Sequence, residues 1–253
     1  MSEQKKLPEY SSASYWEERY TSEFSPTGET SNGHPLKDAE KVQIDKTFEW
    51  LVSFSKSGAM RDALLKYLDI NINDCGTRRN LLHVGCGNSV LGVEIKNQFP
   101  NNVNVTNVDV SPTVITEMQK RYPQHIWEVA DASKRPESNH KYIGSFDIVL
   151  DKGTMDLFCC GGTKKDKISA VKGYFEFCLE VMKTSETARW LGISFGIPES
   201  RLPLINAALN EIGLVGYEMN HSVVLVNRED GGASGQGQGV SSVYIYELKT
   251  TKE

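Results

Sequence analysis

The sequence lacks the long apolar runs of a membrane protein and the basic surplus of most nucleic-acid-binding proteins. None of its apolar runs reaches about 18 residues, the length needed to span a bilayer. The first residues, MSEQKKLPEYSSAS, contain no apolar signal core, so we expect no secretion. Its 28 Lys and Arg are outnumbered by 33 Asp and Glu, which gives a net charge of −5. We therefore expect no membrane partner and no direct contact with nucleic acid.

Cysteine pairs with metal-binding or disulfide spacing are also missing. The five cysteines are odd in number, form no Cys-x-x-Cys pair, and include the adjacent Cys159 and Cys160. Neither a zinc site nor a disulfide framework fits this spacing, so we expect no metal. Reduced thiols are typical of cytosolic proteins, and we predict a cytoplasmic location.

Short apolar runs alternate with amphipathic stretches beyond residue 79, as in α/β proteins. The runs predict strands over 81–84, 103–108, 125–129, 146–150 and 189–195 and strand-rich segments over 214–226 and 241–248. Helical spacing predicts helices over 14–20, 38–52, 60–68, 89–99, 113–121, 164–183 and 202–212. Ser111 followed by Pro112 is a strong start signal for the helix over 113–121.

Five βα repeats and a final hairpin indicate one α/β domain. We predict a doubly wound, Rossmann-like seven-stranded sheet with a C-terminal antiparallel hairpin and a helical N-terminal extension. Residues 1–36 are polar and turn-rich and are predicted to form an arm and lid, and residues 37–253 the domain. The glycine-rich segment within 229–240 is predicted to be a flexible hairpin tip.

A glycine turn and three carboxylates are predicted at one edge of this sheet. Gly85 and Gly87 follow the first strand and permit a tight turn that a ligand can approach closely. Asp109, Asp131 and Asp151 end the next three strands at intervals of about 20 residues. Because parallel strands end at the same edge, the sequence predicts a ligand crevice lined by these groups.

The composition of the crevice favours a cationic nucleoside over a dinucleotide. Val90 stands where a pyrophosphate fingerprint would have its third glycine, and the Tyr-x-x-x-Lys pair of many short-chain dehydrogenases is absent. Three carboxylates attract a cation better than a diphosphate. S-adenosylmethionine fits, because it joins a ribose, an adenine and an amino-acid tail at a sulfonium and has no phosphate.

Several motifs occur in an order and at a spacing that point to a known family. They are LPE at 7–9, YWEERY at 15–20, FEW at 48–50, VGCGNS at 84–89, NVDVS at 107–111 and FDIVLDKGTMD at 146–156. In these residues the chain resembles the class I, seven-strand S-adenosylmethionine-dependent methyltransferases, and within them the group that includes lysine methyltransferases of translation elongation factor 1-alpha. GCGNS and DKGTxD are specific to the group, whereas residues 190–253 match only the general fold.

The resemblance implies S-adenosylmethionine as the cofactor and places it along the crevice. Its methionine portion is expected against the glycine turn, at Gly85, Cys86, Gly87 and Asn88. The ribose hydroxyls are expected on Asp109 and the adenine beside Val110, with the adenine edge meeting Asp131 and Ala132.

The resemblance also implies a cover over the cofactor. Trp16, Tyr20 and Trp50 match N-terminal aromatic positions that close over it, and Arg19 is expected to pair with its carboxylate. Lys152, directly after the fourth strand, matches a position that contacts the cofactor.

Catalysis is expected where the fourth strand ends. We predict that Asp151, which also counts among the expected cofactor contacts, orients the acceptor together with Lys152 and Asp156. A lysine acceptor must lose a proton before it attacks, since its free pKa is about 10.4. Carboxylates favour the charged form, so deprotonation has to come from desolvation or a water path.

Three interpretations of the function stay open. A protein lysine, on an elongation factor 1-alpha-like partner, is preferred, and we expect the enzyme to be a monomer. A small molecule could be enclosed under the aromatic cover instead. A catalytically silent fold that binds cofactor or a partner is the third interpretation, because Met182–Glu186 replaces the Pro-Gly-Gly turn that the family often has before the fifth strand.

Overall fold

The computed structural model describes residues 10–25, 49, 51, 53–70, 78–227 and 240–250. The helices in these residues are α1 (Ala13–Phe24), α2 (Gly58–Leu68), α3 (Leu91–Gln98), α4 (Pro112–Arg121), α5 (Thr154–Phe158), α6 (Lys164–Val181) and α7 (Pro198–Ile212). The strands are β1 (Arg79–Val84), β2 (Val103–Asp109), β3 (Ile126–Val129), β4 (Ile148–Lys152), β5 (Arg189–Ser194), β6 (Tyr217–Asn227) and β7 (Val240–Thr250). Most of the helix predicted over 38–52 and nearly all of the predicted tip lie outside the described residues, as do Trp50 and Cys75.

The seven strands form one sheet in the order β3-β2-β1-β4-β5-β7-β6. The first five strands are parallel, and β7 runs antiparallel to both β5 and β6. The strand order reverses between β1 and β4, and open α/β sheets bind ligands at such a point, beyond the carboxyl ends of the strands. The predicted doubly wound, seven-stranded sheet with its C-terminal hairpin and helical N-terminal extension is confirmed.

Helices bury both faces of the sheet. On one face α7 and α6, which carries Tyr174 and Phe175, pack onto Trp190 of β5 and Tyr246 of β7. On the other, α2 and α3 pack with the aliphatic side chains of β1, β4 and β5. Every residue of β4 and of β5 is buried, which explains why these strands read as nearly continuous apolar runs.

Local signals set several helix ends as predicted. The Ser111 hydroxyl accepts a hydrogen bond from N of Val114 and Pro112 occupies the first turn, so α4 begins where the sequence indicates. Gly213 ends α7 in the left-handed conformation, at φ 80°. None of the helices in the described residues is long and apolar enough to cross a membrane.

The prediction of five regular βα repeats is wrong in one place. Residues 130–147, all of which the structure describes, contain turns and bends and no helix between β3 and β4. Their sequence, ADASKRPESNHKYIGSFD, has a proline, and its large apolar residues are confined to 142–146, so it offers no apolar face long enough for a helix to bury. Conversely, α5 was not predicted, because five residues are too few to show a helical period.

We expect Gly192→Ala to lower the free energy of unfolding by about 1–3 kcal/mol. A Cβ atom at Gly192 would lie 2.3 Å from the ring of Trp190, which is fully buried and cannot move aside. Urea unfolding followed by circular dichroism measures the change.

Gly58→Ala is the matched control. A Cβ atom at Gly58, the first residue of α2, would have its nearest contact at 3.9 Å, on Arg61. We expect no loss of stability and a gain of up to about 1 kcal/mol from helix propensity. Equal effects at the two glycines would contradict the packing described for Trp190.

Candidate functional site

A cavity of about 320 Å³ opens at the carboxyl ends of the parallel strands, beneath α1. This volume lies at the lower end of the roughly 300–1,000 Å³ usual for ligand sites. The predicted site residues that line it are Trp16, Arg19, Tyr20, Gly85, Cys86, Gly87, Asp109, Val110, Asp131, Ala132, Lys152 and Asp156. Asn88 and Asp151 do not line it, and Trp50 lies outside the described residues.

The glycine turn after β1 is packed so closely that only glycine fits. Gly85 and Gly87 adopt φ of 59° and 50°, in the left-handed region. A Cβ atom on Gly85 would lie 2.0 Å from Oγ1 of Thr154, and one on Gly87 2.5 Å from the hydroxyl oxygen of Tyr20. The turn is therefore held between α5 on one side and α1 on the other.

Asp109, at the end of β2, binds the same turn. Its carboxylate accepts hydrogen bonds from N of Gly87 at 2.9 Å and from N of Ser111 at 3.0 Å. Burial raises the pKa of Asp109 above its usual value, and these backbone hydrogen bonds oppose the rise. The carboxylate thus forms part of the cavity wall in the fixed orientation needed to accept hydroxyl donors.

Asp131 lies further along the cavity wall, after β3. One of its oxygens accepts hydrogen bonds from N and Oγ of Ser133, and Lys134 forms an ion pair with the other at 3.3 Å. Burial acts to raise the pKa of Asp131, but the hydrogen bonds from Ser133 outweigh it, so the pKa lies below the usual value. The carboxylate is therefore ionised at neutral pH.

Lys152 is paired with a glutamate that the sequence analysis did not single out. Its Nζ lies 2.7 Å from Oε2 of Glu49, and the lysine side chain is 3% exposed. The carboxylate of Glu49 also accepts hydrogen bonds from Oγ of Ser89 and from N of Val90, where α3 begins. The FEW motif contained the signal, an acid between two aromatic residues, but nothing in the sequence indicated its partner.

His83 is a second buried polar group that the sequence analysis missed. It lies in β1, contributes to the cavity lining, and its Nδ1 lies 3.2 Å from Oδ1 of Asn107. Asn107 donates its amide to the carbonyl of Ile126, so its oxygen faces His83 as an acceptor. Burial, aided by the charge of Lys152, lowers the pKa of His83 to about 3. The imidazole is therefore neutral at physiological pH.

The placement of Asp151 contradicts the prediction that it orients an acceptor at the cavity mouth. It is 1% exposed, and its carboxylate accepts hydrogen bonds from N of Thr154, N of Met155 and the hydroxyl of Tyr174. Trp190 in turn donates to the Tyr174 hydroxyl oxygen at 2.9 Å. Asp151 thus binds the free N–H groups in the first turn of α5 from inside the core, and this is the capping role of its side chain.

Asn88 and Asp156 also form contacts other than those expected. The amide of Asn88 donates to Glu23 of α1 at 2.8 Å, so the side chain is directed away from the cavity. Asp156 does line the cavity, and its carboxylate accepts hydrogen bonds from Ser194, from N of Phe195 and from Arg201 at 2.8 Å. It therefore joins α5 to the end of β5 and the start of α7.

Solved structures superpose on this chain and share its fold. The magnesium protoporphyrin IX methyltransferase of Synechocystis PCC 6803, solved with bound S-adenosylmethionine, superposes with a TM-score of 0.53 at 11% identity, covering 98% of this chain and 100% of that one. A structure reported for the conversion of a disulfide bond into a thioacetal group during echinomycin biosynthesis superposes with a TM-score of 0.52 at 15% identity. The match covers 81% of this chain and 86% of that one. The chain thus has the class I methyltransferase fold.

In sequence the chain is similar to protein lysine methyltransferases. The EEF1A lysine methyltransferase 4 of Mus musculus is 34% identical over 163 residues, 61% of this chain and 50% of that protein. The citrate synthase-lysine N-methyltransferase of Danio rerio, a mitochondrial protein, is 29% identical over 120 residues, 44% and 46% of the two chains. The resemblance to elongation factor 1-alpha lysine methyltransferases is confirmed by these similarities, although no protein-family model matches. The chain spans about half the length of these relatives.

We expect Asp151→Asn to destabilise the protein by an amount that depends on pH. Asparagine has an NH₂ group in place of one carboxylate oxygen. This group would face at least one of the hydrogen-bond donors that bind Asp151, at a cost of about 1–3 kcal/mol. Burial raises the pKa of Asp151 to about 7, with the hydrogen bonds opposing. Its contribution to stability is therefore full at low pH and is lost as the pH rises through about 7. The difference in the free energy of unfolding between wild type and variant should be larger near pH 5.5 than near pH 8, by about 1–2 kcal/mol.

Urea unfolding at the two pH values measures this difference. Asp62→Asn is the control with the same loss of charge, since the Asp62 side chain is 75% exposed. The control should change the unfolding free energy by no more than about 0.5 kcal/mol at either pH. A pH-independent effect of Asp151→Asn would contradict the raised pKa, and no effect at all would contradict the capping role.

Proposed function

We propose that the protein is an S-adenosylmethionine-dependent methyltransferase that methylates a lysine side chain of a protein acceptor. The observation that carries the proposal is the cavity at the switch point of the sheet, with the glycine turn and Asp109 at its base and α1 above it. The names of the relatives in sequence support lysine as the acceptor.

The chemistry of the cavity lining fits this cofactor. Asp109 offers fixed carboxylate oxygens for ribose hydroxyls, and Val110 and Ala132 offer apolar surface for an adenine beside Asp131. Arg19 on α1 is placed to pair with a carboxylate. The charge of Lys152 is offset by Glu49, so the wall does not favour a phosphate. The lining therefore suits a phosphate-free nucleoside with a cationic centre.

The residues around the cavity would act by alignment and exclusion of water. S-adenosylmethionine would supply, when bound, a methyl group on a sulfonium. A nucleophile would attack the methyl carbon in line with the carbon–sulfur bond, and S-adenosylhomocysteine would leave. Trp16 and Tyr20 cover the cavity from α1, and Phe195 and Cys160 stand at the side formed by β5 and α5. Alignment and a dry site of this kind account for much of the rate that methyl transfer requires.

The size of the cavity favours an acceptor that enters only by a side chain. A nucleoside joined to an amino acid takes up a cavity of about 320 Å³, so an acceptor has to reach the methyl group through the open side of the cavity, which suits a narrow, unbranched side chain. The charge of Asp156 at the cavity wall is offset by Arg201, so an acceptor ammonium group that enters the cavity leaves bulk water without gaining a free counter-charge there. Removal of that group from water lowers its pKa and promotes loss of the proton.

The first acceptor to test is translation elongation factor 1-alpha, named for several relatives, and the second is citrate synthase. We place the enzyme in the cytoplasm and propose that it acts as a monomer. The support for the location is that the described cysteines, Cys86, Cys159, Cys160 and Cys178, form no disulfide, as is usual in a reducing compartment.

We expect Asp109→Asn to weaken binding of S-adenosylhomocysteine by at least about tenfold. The variant loses a charge-assisted hydrogen bond to the ribose and the acceptor of the Gly87 N–H. Calorimetric titration measures the affinity, and Asp62→Asn serves as the control, which should bind like wild type. Unchanged affinity in Asp109→Asn would contradict the assignment of the ribose site.

We expect methyl transfer to a lysine of purified elongation factor 1-alpha, detected with tritiated S-adenosylmethionine and located by mass spectrometry. Asp109→Asn is the control in which transfer should fall at a limiting concentration of S-adenosylmethionine. Label in citrate synthase alone would identify that acceptor instead. Label only in a metabolite pool would favour the small-molecule interpretation, and binding without any transfer would favour a silent fold.

A further inference from the structure

Helix α1 carries two adjacent stripes of side chains that do different things. One stripe, Trp16 and Tyr20, lines the cavity. The other stripe, Glu17, Thr21 and Phe24, is directed at α4. Thr21 approaches Thr113 at 3.4 Å between hydroxyl oxygens, and the guanidinium carbon of Arg121 lies 5.2 Å from the centre of the Phe24 ring. The orientation of the cavity stripe therefore depends on how the second stripe is held.

Glu17 makes the polar attachment in the second stripe. Its carboxylate accepts hydrogen bonds from the hydroxyl of Ser111, from the hydroxyl of Thr113 and from N of Thr113 at 3.3 Å. These donors lie in the first turn of α4, where free backbone N–H groups and the helix dipole favour a carboxylate. Burial acts to raise the pKa of Glu17, but the hydrogen bonds outweigh it and hold the pKa below its usual value.

Ser111 links this attachment to the predicted ribose site. Its hydroxyl donates to Glu17, and its backbone N donates to Asp109 at 3.0 Å. Asp109 in turn accepts from N of Gly87, over which the hydroxyl of Tyr20 packs. Glu17, Ser111, Asp109, Gly87 and Tyr20 thus form a closed circuit of contacts between α1 and the cavity base.

We propose that Glu17 is a positioning residue that keeps α1 closed over the bound nucleoside and so sets the rate at which the product, S-adenosylhomocysteine, leaves. This inference rests on the proposed function. Glu17 does not line the cavity, so it acts through Trp16 and Tyr20, which do. Opening of α1 exchanges the hydrogen bonds of Glu17 for hydrogen bonds to water, so the helix can release a product while the sheet stays folded.

The test is the dissociation rate of S-adenosylhomocysteine from the full chain, measured by stopped-flow displacement. We expect Glu17→Gln to raise this rate by about tenfold, the factor that one hydrogen bond to a charged group contributes, with a smaller change in the association rate. Glu18→Gln is the matched control, because it removes the same charge from the next residue, which is exposed. It should leave both rates within about twofold of wild type.

A second variant separates attachment from a loss of folding. Thr113→Val removes one hydroxyl donor to Glu17 at a residue outside the cavity lining. It should also raise the dissociation rate, and the two changes combined should raise it by less than the product of the single effects, because both remove the same contact.

The outcomes distinguish this inference from the proposed function. If wild type does not bind S-adenosylhomocysteine, the proposed function is wrong and this inference fails with it. If wild type binds and Glu17→Gln releases the ligand at the wild-type rate, only the role of Glu17 is overturned. A faster release caused equally by Glu18→Gln would also overturn it, since charge alone would then be responsible.

Discussion

The candidate site depends on the absence of two side chains at the turn after β1. Gly85 leaves room for the hydroxyl of Thr154, which donates to the carbonyls of Val84 and Gly85 at 3.2 and 3.3 Å. Gly87 leaves room for the hydroxyl of Tyr20. Through these contacts the turn sets the positions of both α5 and α1. The cavity between them exists because neither helix meets a Cβ atom at its closest approach.

The sequence predicted the backbone of the site better than its side chains. Periodicity placed Asp109 and Asp131 at strand ends, and a shared sheet edge was enough to bring them to one cavity. The same reasoning was wrong for Asp151, because α5 begins three residues later and offers its N–H groups as nearer partners. A helix of five residues has no period to detect, so this competition could not be foreseen.

Three glutamates of the N-terminal part show where some of the acidic surplus is used. Glu17 lies against the first turn of α4 and Glu49 against the first turn of α3, while Glu23 accepts from Asn88 beside the glycine turn. Each of these contacts joins residues far apart in the chain and gives little local pattern. For this reason the sequence showed an acidic surplus without showing where it is used. Helix N-termini attract carboxylates through their free N–H groups and their dipole.

The position of β7 within the sheet has a consequence for the order of folding. β7 is the last of the described strands along the chain, yet it lies between β5 and β6 and pairs with both. The sheet can therefore grow along the chain only as far as β5, and β6 must wait as an unpaired segment until its neighbour has been synthesised. Until β7 pairs with it, β5 presents an open, apolar edge, which is the kind of edge at which partly folded chains associate.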